Sequence, residues 1–110
     1  METVVGVNGD SMGSGDEALG RKLLGSFLRT LGDLDQKPDA VVFYNAGVKL
    51  LADGTPLRVE LKVLEDAGVD LLGCGTCLEH FGLIEKLVVG EVSNMRAIAT
   101  RLLGANVVTT

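Results

Sequence analysis

The chain has 110 residues and about 11.5 kDa of mass, so one core accounts for it and a two-domain organisation is excluded. Hydrophobic residues make up 46% and charged residues 23%, ordinary globular usage that excludes a disordered or low-complexity chain. Fifteen acidic against ten basic residues leave a net charge of −5, the wrong sign for a surface that tracks phosphates, so no nucleic-acid partner is expected.

Thr3 to Val7 is the first of five short apolar runs rich in β-branched residues. The next stretch carries Leu19, Leu23, Phe27 and Leu31 four apart, with Leu24 and Leu28 widening the stripe, and predicts a helix from about Gly15 to Leu31. Ser14 followed three residues later by Glu17 fits a capping box at its start, and Gly32 stands where a left-handed C-terminal cap belongs. Ala40 to Tyr44 reads as the second strand. Asn45 then caps a short helix ending near Asp53 and Gly54, and Thr55-Pro56 restarts a helix carrying Leu57, Leu61 and Leu64 that stops at Gly68. Val69 to Leu72 is the third strand, running on to Cys74. A short helix from about Thr76 to Phe81 is closed by Gly82. Lys86 to Val89 is expected as the fourth strand. Ser93 is expected to cap a last helix carrying Met95, Ile98 and Leu102 and followed by Gly104, and Asn106 to Thr109 completes the set.

None of the runs alternates cleanly between polar and apolar residues, as expected of strands covered on both faces. Strand and helix alternating throughout predicts an α/β domain: a three-layer α/β/α arrangement on a five-stranded parallel sheet, one domain over residues 1–110. Ligands of open α/β sheets bind beyond the carboxyl ends of the strands. Asn8 to Ser11, Tyr44-Asn45, Gly73 to Cys77, and Gly90-Glu91 with Ser93-Asn94 therefore fall on one edge. Taken singly, most of these residues are accounted for as turn formers and helix caps.

Cys74 and Cys77 stand apart from that explanation. They are too few and too close to form a disulfide framework, which favours a reducing, cytoplasmic setting. No apolar run approaches the length of a membrane span, and the first residues lack a basic, then apolar, leader, so no membrane partner is expected. Cys77 falls in the first turn of a helix, where unpaired amides and the macrodipole favour a thiolate, and each thiol can donate a hydrogen bond to the other. Both effects lower a thiol pKa. Gly73 and Gly75 are expected to leave the main chain beside Cys74 open to a bulky sulfur donor. The pattern suits sulfur transfer or thiol–disulfide exchange; two small buried core cysteines are the alternative.

Other chemistries fit less well. His80, three residues after Cys77, brings the local zinc ligands to three at most, where a structural site needs four, so no metal is expected. His80 is better read as a group that polarises a thiol or simply packs near the surface. Gly13 to Ala18 matches G-x-G-x-x-A, but Asp16 and Glu17 would repel a pyrophosphate and no acidic residue ends the second strand. Without a P-loop motif either, no nucleotide, flavin or other cofactor is expected.

Three stretches together carry a family resemblance: Asp10-Ser11-Met12-Gly13-Ser14-Gly15-Asp16-Glu17 running into Leu19-Gly20-Arg21-Lys22, then Phe43-Tyr44-Asn45-Ala46-Gly47-Val48-Lys49-Leu50, and Cys74-Gly75-Thr76-Cys77-Leu78 with Gly90-Glu91-Val92-Ser93-Asn94-Met95. The chain resembles the DsrE/DsrF-like sulfur-relay family, and within it the C-terminal domain of YedF-type selenium-metabolism proteins. The resemblance implies a sulfurtransferase-like carrier that holds sulfane sulfur, or selenium, as a cysteine persulfide. It implies Cys74 as the reactive cysteine with Cys77 as partner thiol, supported by Asn45, Gly75, Thr76 and His80. It also implies sulfur-donor and acceptor proteins as partners, a TusA-like carrier among them, and assembly into trimers or hexamers. YedF-type proteins carry a TusA-like domain ahead of this one, whereas here the first strand begins at once, the expectation for a stand-alone version or an excised domain. Whether such a carrier counts as an enzyme stays open. A dithiol redox protein, or a non-catalytic oligomeric binding module with structural cysteines, stays open as well.

Overall fold

A computed structural model describes residues 1–110. Five strands, β1 (Glu2–Val7), β2 (Ala40–Phe43), β3 (Asp70–Cys74), β4 (Glu91–Ser93) and β5 (Ala105–Thr109), pair in the order β4-β3-β2-β1-β5. Every pairing is parallel, so each connection crosses over the sheet. Helices α1 (Glu17–Asp33), α2 (Arg58–Asp66), α3 (Gly75–His80) and α4 (Met95–Leu103) make the crossovers, with a 3₁₀ helix over Asn45–Leu51 and a 3₁₀ turn at Ile84–Lys86. The expected five-stranded parallel α/β architecture is the one observed.

Side chains alternate across a strand, so Asp70 and Gly73 point to opposite faces. A Cβ on Gly73 would meet Leu51 and Leu78, which puts the 3₁₀ helix and α3 on one face. Arg101 of α4 reaches Asp70 and Glu2, which puts α4 on the other. β3 and β4 are thus neighbours whose following helices leave in opposite directions. This is the switch point at which an α/β sheet opens a crevice.

The central strands are fully apolar and inaccessible: Val4, Val5 and Val7 of β1, all of β2, and Leu71 and Leu72 of β3 pack with Leu24, Leu28, Leu61, Leu64, Leu78 and Ile98. Burial of that continuous surface is the main drive to fold. The α1 stripe differs from its expected face. Gly20, Leu24, Gly25 and Leu28 are buried, while Leu19 and Leu23 stay 53% and 46% exposed. Gly20 and Gly25 let the helix lie close to its neighbours: a Cβ at position 20 would collide with the Ser11 hydroxyl, and one at 25 would press on Leu57 at 3.3 Å. The leucine spacing gave the right helix and rotated its core face, because small residues carry no hydrophobic signal of their own.

Five local expectations are corrected. Asn45 is the first residue of its 3₁₀ helix and makes no side-chain cap, Tyr44 taking the cap position, and that helix ends at Leu51. Asp16, not Ser14, caps α1, its carboxylate accepting from the Leu19 amide at 2.9 Å. Gly32 lies inside α1 against Val63, and the helix ends at Asp33 with Leu34 as its cap. The fourth strand is Glu91–Ser93 instead of Lys86 to Val89. Val88 donates to the Leu51 carbonyl and Leu87 makes an isolated antiparallel bridge with Ala52, so this apolar run packs against the end of the 3₁₀ helix. The chain then turns at Gly90 (φ +75°), whose amide donates to Glu65 at 2.7 Å, and enters an edge strand too short and polar to read as one. That bond and the Lys62 ammonium, the larger cause, hold the Glu65 carboxyl below its ordinary range. Finally Asn94, not Ser93, caps α4, accepting from the Ala97 amide at 2.9 Å.

Candidate functional site

Cys74 ends β3 opposite Ser93 of β4, and the chain turns at once into α3. Its side chain is 1% exposed and belongs to the core cluster. Cys77 lies one helical step further on and is only partly covered. Both thiols are free. Cys77 lines an open cleft of about 390 Å³ together with Tyr44, Asn45, Thr76, His80, Phe81 and Met95. Cys74 does not line it. The same edge of the sheet gathers these residues from the end of β2, from α3 and from the first turn of α4, at the switch point between β3 and β4.

Asn45 is the one non-glycine residue in the left-handed region, at φ +51°. Asparagine tolerates that conformation better than most side chains. The turn aims the Asn45 backbone N–H at the Cys77 sulfur, 3.1 Å away. Room for it comes from Gly47, where a Cβ would run into the Val7 carbonyl oxygen. An N–H donated to sulfur favours the thiolate, yet the Cys77 thiol is pushed above its ordinary value. Burial is the largest cause, the Asn45 amide works against it, and the neighbouring Cys74 thiol adds to the rise. The direction is opposite to the lowering expected at a helix start: burial raises the Cys77 thiol, and the Asn45 amide is the one group that pulls it down.

The glycines flanking Cys74 also act differently from expectation. A Cβ on Gly73 would meet Leu51 at 2.9 Å and Leu78 at 3.1 Å, and one on Gly75 would meet the Ser93 carbonyl oxygen at 2.9 Å. They permit tight packing and do not open the backbone to a ligand. Gly9, Gly13 and Gly15, in the loop after β1, face open space instead.

Asn45, Thr76, His80 and Cys77 are brought together as expected, while Gly75 and the buried Cys74 do not line the cleft. His80 is exposed, its ring edge-on to Phe81 at 5.1 Å between centroids. No three His, Cys, Asp or Glu side chains stand in an arrangement that could hold a metal ion. Sequence reading missed Phe81 and Met95. Phe81 was legible in principle, because it follows Cys77 by four residues on one helix and so shares its face.

The fold and site are thus those of a parallel α/β domain with a free Cys-x-x-Cys pair at a strand end and one of the two cysteines lining a cleft. The chain belongs to the DsrE/DsrF-like family, whose model matches residues 8–109. That membership points to a role related to sulfur relay. Among solved structures it is similar to the protein of unknown function MTH1491 from Methanobacterium thermoautotrophicum, at 25% identity and a TM-score of 0.71 over 98% of this chain and 97% of that one. It is similar to the ychN protein from E. coli at 19% identity and a TM-score of 0.70, over 99% and 98% of the two chains. The conserved protein of unknown function BT1422 from Bacteroides thetaiotaomicron shares the fold at 18% identity and a TM-score of 0.66, over 99% and 95%. Among curated proteins none matches the chain. No helix is long and apolar enough to cross a membrane.

Proposed function

We propose that the protein is a sulfurtransferase-like carrier that accepts sulfane sulfur as a persulfide on its Cys-x-x-Cys pair and passes it on. The observation that carries this reading is the placement of Cys77, lining a cleft with a main-chain N–H on its sulfur and with a buried second thiol as its neighbour. The thiol order differs from the one the family resemblance implies: accessibility favours Cys77 as the entry thiol and Cys74 as its partner.

The Cys77 thiolate attacks the terminal sulfur of a donor persulfide. A new S–S bond forms at Cys77, the donor's S–S bond breaks, and the electron pair leaves on the donor thiolate, which takes up a proton. The Asn45 amide supports the anionic sulfur throughout. An acceptor thiolate then attacks the outer sulfur and regenerates Cys77. Without an acceptor, Cys74 attacks the inner sulfur, forming the Cys74–Cys77 disulfide and expelling the outer sulfur as hydrosulfide. His80 and Thr76 flank the route to the thiol and His80 is suited to move the proton. The same steps serve selenium, the cargo that the YedF likeness would favour. Donor and acceptor proteins, a TusA-like carrier among them, fit an open cleft. A trimer or hexamer would cover Leu103 and Met95, now 90% and 54% exposed. A dithiol of this kind requires the reducing setting of the cytoplasm.

Intact-mass analysis after treatment with inorganic polysulfide tests the reading. One added sulfur should map to Cys77, disappear in Cys77→Ser, and accumulate in Cys74→Ser, where the disulfide release is blocked. No adduct on the wild type, or an undiminished one in Cys77→Ser, overturns it.

A further inference from the structure

A second cleft, of about 460 Å³, adjoins the first and shares Phe81 with it. Asp10, Lys49 and Asp53 line it beside Leu50, Pro56 and Leu83. The Lys49 ammonium lies over the Phe81 ring, 4.4 Å from its centroid. None of these three charged side chains makes an ion pair or a side-chain hydrogen bond, although ammonium and carboxylates line the same cleft. All three are exposed and available to a ligand.

The spacing relates this group to the thiol. Phe81 follows Cys77 by one turn of α3, its amide donating to the Cys77 carbonyl at 3.2 Å. Side chains so related stand about 5–6 Å apart at their Cβ atoms. The Lys49 ammonium lies over the ring of that same Phe81, so one side chain, bordering both clefts, stands between Lys49 and Cys77. A small molecule whose sulfur is at Cys77 and whose other end carries a carboxylate and an ammonium on one carbon would meet Lys49 with the first and Asp10 or Asp53 with the second. The two clefts have the size of small-ligand sites.

We propose that the cleft lined by Lys49, Asp10 and Asp53 binds the zwitterionic amino-acid end of a low-molecular-weight thiol, so that the donor read by this domain is the persulfide of an amino-acid-derived thiol. Lys49 is then a specificity-determining residue whose charge selects the donor and whose stem keeps Phe81 as the floor between the clefts. The proposal rests on the carrier reading above and deepens it. The transfer is the one already written, with the small thiol as leaving group.

The test compares two donors on the full chain. Glutathione persulfide carries the zwitterionic end, and inorganic polysulfide lacks it. At a subsaturating donor concentration, Lys49→Met should slow Cys77 persulfidation by glutathione persulfide about tenfold, the loss of one charge-assisted contact. Polysulfide should act on this variant within about twofold of its wild-type rate, and Lys49→Arg should restore most of the loss. The unreactive thioether S-methylglutathione should slow labelling of the wild type by polysulfide and not that of Lys49→Met. Equal effects on both donors, or none with glutathione persulfide, overturn the donor assignment and leave the carrier reading standing. Failure of both donors to modify Cys77 overturns the carrier reading itself. Labelling by a persulfidated carrier protein that is indifferent to Lys49→Met and faster than by glutathione persulfide would assign the cleft to a protein donor and refute the small-molecule one.

Discussion

The two ends of the sheet are built on opposite principles. At the amino end Arg101 donates to Glu2 at 3.0 Å and to Asp70 at 2.8 Å, tying α4 to β1 and β3, and each partner is satisfied. The two carboxylates, Glu2 first, hold the guanidinium still more firmly charged than usual. At the carboxyl end Lys49, Asp10 and Asp53 make no ion pair, a thiol is desolvated, and a non-glycine residue sits at positive φ. Paired groups stabilise, and groups left unpaired or strained are retained where they meet a ligand. The difference separates the end that ties the elements together from the end at which the proposed chemistry lies.

The largest effect that would break the contrast is expected at the carboxyl end, from packing alone. Gly47→Ala drives a methyl into the Val7 carbonyl oxygen, backbone against backbone, and should cost about 3 kcal/mol, the upper range for overpacking. Urea denaturation reads it, and an unchanged midpoint would mean that the Asn45 turn relaxes freely. The second prediction concerns rate. Because burial holds the Cys77 thiol above its ordinary value of 9.0, the proton is retained at neutral pH and reactivity is gained as pH rises. Iodoacetamide labelling of Cys77, followed by peptide mapping, should climb about tenfold per pH unit from pH 7 with no plateau below pH 9. A plateau near pH 7 would show that the Asn45 amide outweighs desolvation. The smallest effect belongs to the amino end. Arg101→Met removes a partly exposed ion-pair network and should cost about 1 kcal/mol. Persulfidation of Cys77 should stay unchanged, and a large loss of it would tie the two ends together.

Much of the site was legible from residue order because its parts are local. Cys74, Thr76, Cys77 and His80 lie within one strand end and one short helix, so hydrophobic pattern and turn residues placed them. The fourth strand was not legible, since an edge strand of three residues, Glu91–Ser93, has no buried run to announce it. The rank of the two thiols was not legible either. Three residues separate them, and only the packed fold leaves Cys74 1% exposed in the core while Cys77 lines the cleft.

The sequence by itself determined the alternation of strands and helices, the parallel sheet, the family and the edge on which the chemistry gathers. These follow from local periodicity and from the rule that parallel neighbours need crossovers. Only the tertiary structure decided that Cys74 is sealed, that Asn45 turns its N–H onto Cys77, and that Lys49 lies over Phe81 beside two free carboxylates. Those relations join segments tens of residues apart, and their energies depend on distance and desolvation, which no local pattern encodes.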